Sequence, residues 1–353
     1  MSAAGEQHDP WLGRTVDGRF KVESFLGVGA VGAVYRAADL QQQRLVALKI
    51  WNGRALNAQT RGRFAREAAA LMTLRHANIV DVYSCGIVDD LPYVAIEFLD
   101  GETLEQKLDS GEPLECDLAF DIAGQMLSAL AYAHGLGVVH RDLKPDNVFL
   151  VRGAGDKGGK DGKPVVKLLD YGLAKFLEPG DDPAKGVALT MTGMVMGTPL
   201  YMAPEQAAGK AVDARVDVYA AGCVLYEMLS GQPPFLGETN MELFRAHMMA
   251  PVPKLAEARQ GATVVPAMQA LLEKALAKQP DQRYANAGEM LAALHEVPQP
   301  AVKKKRTSMD FRPSAVSGLA ALGAKGPNTG LLVLAGALAG ALVLGAFAYF
   351  FLR

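Results

Sequence analysis

Between Gly330 and Leu352 the chain carries no charged residue, and nearly every position is Ala, Leu, Val, Gly or Phe. At about 1.5 Å of rise per residue, a helix through this run spans roughly 34 Å, slightly more than the ~30 Å hydrocarbon core of a bilayer. A helix of that length in a soluble core would keep a polar face, and this run has none. It predicts one transmembrane helix over 330–352. Lys303, Lys304, Lys305, Arg306 and Lys325 precede it and only Arg353 follows. That asymmetry predicts a single-pass protein of the inner (plasma) membrane, with its N-terminal bulk cytoplasmic, its C-terminus outside and no extracellular sensor domain. Gly336 and Gly340 form a GxxxG pair, which serves either close helix–helix contact in a homodimer or as small-residue filler. The basic cluster, likewise, either attracts anionic lipid or acts as a topology signal alone.

The rest of the chain reads as soluble. Residues 1–19 form a polar N-terminal extension without the apolar stretch of a signal peptide, and 298–329, rich in Pro, Ser, Gly and Ala, read as a flexible juxtamembrane linker. Lys+Arg 36 against Asp+Glu 38 leaves a net charge of −2, which argues against a nucleic-acid partner, because phosphate neutralisation needs an excess of Lys and Arg. Cys85, Cys116 and Cys223 are too scattered to form a metal-ligand pair and read as reduced, half-buried thiols.

From Phe20 to Ile50, apolar and polar residues alternate around a glycine cluster, predicting strand, glycine turn, strand, then a third strand over Leu45–Ile50. Phe64, Ala68, Leu71 and Met72 recur at helical spacing. Strands are expected at Ile79–Gly86 and Pro92–Phe98. After Gly101 the pattern turns helical: Leu118, Ile122, Met126, Leu130 and Ala133 mark one face of a long helix. Val218–Leu229 is apolar on all sides and should be buried, and Met268, Leu271, Leu272, Ala275 and Leu276 mark another helix. Arg152–Pro164, rich in Gly, Lys and Asp, reads as a solvated loop between short strands.

Gly27, Gly29 and Gly32 give G-x-G-x-x-G, which alone is weak because the same spacing opens dinucleotide-binding folds. Here A-V-Y-R-A continues as a strand, not a helix, and V-A-L-K follows. Glycines in a hairpin let backbone N–H groups approach phosphate oxygens. Lys49 ends an apolar strand, where its ammonium needs a partner, and Glu67 on the following helix is the natural one. Alone, Lys49 would read as a snorkelling surface lysine; the upstream glycines favour a phosphate role. V-V-H-R-D-L-K-P-D-N-V-F-L places Asp142 and Asn147 on one loop, suited to a base and a metal ligand around one substrate. V-K-L-L-D-Y-G sets Asp170 at a strand end, and G-T-P-L-Y-M-A-P-E ends on Glu205, which Arg283 in Q-P-D-Q-R-Y answers as an ion pair.

With these motifs in this order, residues 20–297 resemble the protein kinase superfamily, in particular the membrane-anchored bacterial serine/threonine kinases of eukaryotic type. The resemblance implies an α+β bilobal fold with a small β-rich N-lobe (20–98) and a larger helical C-lobe (99–297), plus the C-terminal transmembrane helix. It implies ATP-dependent phosphorylation of protein Ser/Thr hydroxyls, with Mg2+, or Mn2+ in its place. The loop of Leu26, Gly27, Val28, Gly29, Ala30 and Gly32 would cover the phosphates, which Lys49–Glu67 would orient. Val34, Ala47 and Phe149 would sandwich the adenine, and Ile96, Glu97 and Leu99 would form the hinge. Asp142 would be the base, Lys144 would meet the γ-phosphate, and Asn147 and Asp170 would hold the metal. Arg141 would receive an activating phosphate, with Thr190 and Thr192 as autophosphorylation sites or else ordinary loop hydroxyls, and Thr198 bracing Lys144 and Asp142. Tyr171 departs from the family's Phe, so its hydroxyl needs a partner, and retuned packing is expected without loss of activity. The competing reading is a membrane-tethered nucleotide-binding scaffold with little catalysis. The complete set of catalytic side chains speaks against it.

Overall fold

The structure, a computed structural model, describes residues 9–29, 32–51, 58–152, 163–171, 199–258 and 265–298, with the side chains of residues 58, 59, 63 and 67 not among those described. The alternating N-terminal pattern forms a six-stranded antiparallel sheet: β1 (Thr15–Val16), β2 (Phe20–Gly29), β3 (Gly32–Asp39), β4 (Arg44–Trp51), β5 (Val82–Val88) and β6 (Leu91–Glu97), in the order β1-β2-β3-β4-β6-β5. Period-two alternation sends Val22, Tyr35, Val46, Leu48, Ile50, Tyr93 and Ala95 to one buried face. Trp11, upstream of the first strand, covers that face, and Tyr35 Oη donates to the Asp9 carboxylate at 3.0 Å. The extension is therefore tied to the sheet from Asp9 onward.

The other face of the sheet meets α1 (Ala58–Thr73). Trp51 and Phe64 pack edge to face at 6.0 Å, and Phe64, Ala68 and Leu71 join Val82 and Val94 in a core that continues into the helical part. The apolar run from Ile79 does not pair within the sheet until Val82. Val80 N donates to Leu168 O and Leu168 N to Asn78 O, so residues 78–80 bind a strand of the other lobe. An apolar run predicts extended chain but not which strand takes its backbone.

Beyond β7 (Gly101–Thr103) and α2 (Leu104–Leu108), the chain forms α3 (Cys116–Gly135), β8 (Val148–Val151) and β9 (Val165–Leu168), with β7, β8 and β9 in one small antiparallel sheet. Then follow α4 (Pro204–Ala207), α5 (Arg215–Ser230), α6 (Asn240–Met249), α7 (Leu255–Ala258), α8 (Pro266–Ala275) and α9 (Ala287–Glu296). As its all-round apolar pattern demands, α5 is buried on every side, against α3, α8 and α9 among others. Burying each of its large aliphatic side chains contributes roughly 1.5–3 kcal/mol. It stops at Gly231, whose φ of +83° and Cβ space, 2.2 Å from Gly111 O, admit only glycine. Cys223 lies wholly inside α5, more buried than the half-buried thiol expected, while Cys85 and Cys116 are intermediate. Among the described residues no helix is long and apolar enough to cross a membrane. The run 330–352 and the linker beyond Pro298 lie outside them.

Candidate active site

Strand register assembles one wall of a cleft. Val34 stands opposite Lys49, Ala47 opposite Ile96, and Lys49 opposite Val94, so these five side chains share the sheet face turned away from the Trp11-covered core. Gly29 pairs with Gly32 at the hairpin tip. A Cβ on Gly32 would lie 2.4 Å from Ile50 O, so this strand crossing requires glycine. Leu26 and Val28 on β2 are exposed. Ala30 lies outside the described residues. At the end of the wall, Glu97 N donates to Asp81 O, its carboxylate pairs with Lys167 Nζ at 2.8 Å, and Leu99 leads to Gly101. Phe149 on β8 sits opposite Thr103, and a Cβ on Gly101 would strike its ring.

The opposite side is the loop between α3 and β8. Asn147 Nδ2 donates to Asp142 O at 2.7 Å and to Asp142 Oδ2 at 3.3 Å. This orients the amide so that its Oδ1 remains to accept elsewhere. Lys144 Nζ stands 3.9 Å from Asp142 Oδ2. The Asp142 side chain is 43% exposed and that of Asp170 40%, so both carboxylates are open to solvent. Asp170, with φ of +47°, and Arg141, with φ of +65°, hold left-handed conformations that cost non-glycine residues energy and persist only where the surroundings enforce them.

For Arg141, Asp217 supplies that enforcement, a residue the motifs did not single out. It is 1% exposed at the start of α5 and accepts from His140 N at 2.7 Å, Arg141 N at 2.8 Å and the His134 ring at 2.9 Å. Burial pushes its carboxyl upward, but the His134 hydrogen bond and the nearby histidine charges outweigh it, and the net shift is downward. The helix N-terminus favours the same charge. His140 in turn bonds Leu169 O at 2.8 Å, and Leu169 N donates to Asn147 O. The loop carrying Asp142 and Asn147 and the segment carrying Asp170 are thus stitched together. The signal was present in the sequence: an acid in an otherwise apolar helix must be bonded on every side.

Lys49 Nζ meets Asp170 Oδ2 at 2.5 Å. Its expected partner, the Glu67 side chain, lies outside the described side chains, as do Thr190, Thr192 and Thr198. Tyr171 lies against His140 with ring centroids 4.5 Å apart, but its hydroxyl, expected to find a partner, is buried with none among the described residues. Farther out, Gln206 Nε2 donates to Arg141 O and Tyr201 Oη to Glu227 at 2.7 Å. Arg283 grips Glu205 through two bonds of 2.7 and 2.8 Å in a buried pair. A hydrogen bond to Asp146, then burial, push Glu105 up to about 7 beside this loop.

This donor set fits a hard divalent cation that keeps phosphate and water ligands: one carboxylate, one amide oxygen and a nearby ammonium. No group of three His, Cys, Asp or Glu side chains forms a metal cage among the described residues, and such a cation needs none.

Residues 20–295 match the protein kinase domain family. The chain is 38% identical over 307 residues to the serine/threonine-protein kinase pkn3 of Myxococcus xanthus, covering 86% of this chain and 54% of that one. It is 37% identical over 311 residues to the serine/threonine-protein kinase PknB of Mycolicibacterium smegmatis, covering 84% and 47%. It thus spans about half the length of these relatives. The crystal structure of the Mycobacterium tuberculosis PknI kinase domain superposes with a TM-score of 0.61 at 26% identity, covering 80% of this chain and 98% of that one. A cleft with Lys49, Asp142, Asn147 and Asp170 around it, matched over most of the chain, places the protein among bacterial kinases of eukaryotic type: the chain belongs to the protein kinase family.

Proposed function

We propose that the chain is an ATP- and Mg2+-dependent kinase that phosphorylates serine and threonine hydroxyls of proteins. The observation that carries this reading is the meeting of Lys49, Asp170, Asn147 and Asp142 around one cleft, from three separate segments. Asp142, exposed and held by Asn147, accepts the proton of an incoming hydroxyl. Lys144 beside it bears the positive charge suited to a transferring phosphoryl group. Asp170 and the Asn147 amide oxygen hold Mg2+, which when bound neutralises charge on the phosphate oxygens. Lys49 leaves Asp170 for the inner phosphates when nucleotide enters. Val34, Ala47, Ile96 and Phe149 supply the apolar slot for the base. The names of the two relatives support the serine/threonine assignment.

The same reading holds the chain at the inner membrane through 330–352, kinase side in the cytoplasm, with Thr190 and Thr192 modified in trans between neighbours and Arg141 receiving the phosphate. One experiment covers both parts. The full chain in detergent micelles, given labelled ATP and Mg2+, should label itself on Thr190 and Thr192 and label a generic basic protein. Asp142→Asn should bind nucleotide equally but transfer phosphate about 10^2 to 10^4 times more slowly. Equal transfer by both proteins would refute the assigned base, and label confined to other residues would refute the activation sites.

A further inference from the structure

The glycine hairpin is built from β2 and β3, and the chain ahead of β1 runs across the side of it that faces away from the cleft. Gly13 N donates to Val22 O at 3.1 Å and Val22 N to Arg14 O at 2.9 Å, so this stretch is bonded to the backbone of β2. Trp11 is buried with Val22 and Tyr35 in the outer core. Asp9 then reaches the other arm. Its carboxylate oxygens accept from Tyr35 Oη on β3 at 3.0 and 3.2 Å, and Oδ1 also accepts from Trp11 N at 2.9 Å. Residues 9–14 therefore strap both arms of one hairpin.

The strap ends at the base of the flap. Tyr35 stands three residues beyond Gly32 and directly opposite Phe25, which is two before Gly27. The two rings meet edge to face with centroids 5.7 Å apart, a geometry that aromatic quadrupoles favour. Phe25 is 49% exposed and Tyr35 2%, so the outer ring rests on a buried one. Between Phe25 and Gly27 the register slips by one residue, leaving Leu26 as a bulge. Beyond it, Gly27, Gly29 and Gly32 carry no side chain to pin the flap, so its direction is set at this base. Burial, then the Asp9 bond, push the Tyr35 hydroxyl up to about 12, which keeps it a donor at neutral pH.

We propose that Asp9 and Tyr35 are positioning residues that hold the glycine flap over the phosphates from behind, acting through Phe25. The inference rests on the phosphoryl-transfer reading above. Asp9 lies upstream of the stretch matched to the family. Tyr35 belongs to the face of β3 opposite that of Val34, so it reaches the cleft only through the flap. The effect of this pair falls on ligands that need the flap, and not on those held by the hinge and the apolar slot alone.

The test uses the full chain in detergent micelles and its Tyr35→Phe, Asp9→Ala and Phe25→Leu variants, each measured well below its thermal midpoint. Two dissociation constants are compared: that of a non-hydrolysable ATP analogue with Mg2+, which needs the flap, and that of adenosine, which does not. Each variant should weaken analogue binding about fivefold or more and leave adenosine within about twofold. Asp9→Ala combined with Tyr35→Phe should be no weaker than Asp9→Ala alone, because both remove the same bond. Unchanged analogue binding overturns the proposal, and so does parallel weakening of analogue and adenosine, the mark of a general loss of structure. Losses that add in the double variant overturn it too, since the two residues would then act separately. If wild type binds neither ligand, the phosphoryl-transfer reading itself fails, and this inference with it.

Discussion

At the residue scale, the side chains proposed to act and those that hold them were unequally visible. Lys49, Asp142, Asn147 and Asp170 stand in short motifs whose spacing carries chemistry, so they could be read from the sequence before any geometry. Asp217 could not be assigned that way, because its importance lies in two backbone N–H groups of His140 and Arg141, more than seventy positions upstream. Asp217→Ala should leave those donors and His134 unsatisfied in the core and destabilise the protein by about 3–5 kcal/mol, read by chemical denaturation. It should also slow phosphate transfer in the fraction that remains folded, since Arg141 would lose the bond that helps hold its left-handed backbone. Full stability in that variant would refute the assigned role. Tyr171 shows the opposite limit. Its departure from the family was legible, and so was the need of its hydroxyl for a partner, but only packing shows that none of the described residues supplies one.

At the element scale, periodicity located most strands and helices, because each needs an apolar face and the core supplies only one place to put it. The long helices α3 and α5 follow this directly. The segment just before β5 does not: Ile79 and Val80 look like strand residues, yet their partner is β9 in the other lobe. Sequence fixes the period of a segment more firmly than its neighbour. The pairing of Glu205 with Arg283 joins the start of α4 to the turn before α9, and both charges are buried. Removing one partner strands the other, so Arg283→Ala should cost about 3–5 kcal/mol in a denaturation curve. Removing the stranded charge with Glu205→Gln in the same protein should recover part of it. A cost near zero would mean that solvent reaches the pair.

At the scale of the whole molecule, two groups with opposite shifts bear on the acid range. Burial, then the Lys278 charge, push His247 down to about 4, so the folded state holds fewer protons than the unfolded one, and stability is lost as pH falls from about 6.5 toward 4. Glu105, raised to about 7, holds its proton more tightly when folded, so its contribution is lost as pH rises from about 4.5 to 7. Glu105 is exposed and screened by solvent, so His247 sets the sign. The urea midpoint should rise from pH 4.5 to 6.5, more steeply in Glu105→Gln, and the rise should flatten or reverse in His247→Phe. Parallel profiles for the three proteins would refute this assignment.

The contact of Trp11 and Asp9 with the outer face of the sheet bears on any attempt to transplant this catalytic unit. The match to the family begins at Phe20. A fusion trimmed there would strip the indole from a patch holding Val22, Tyr35 and Leu48 and leave it greasy and open to self-association. The working boundary of the module therefore lies upstream of where homology begins, and a chimera should carry the chain from Asp9 as part of its small lobe.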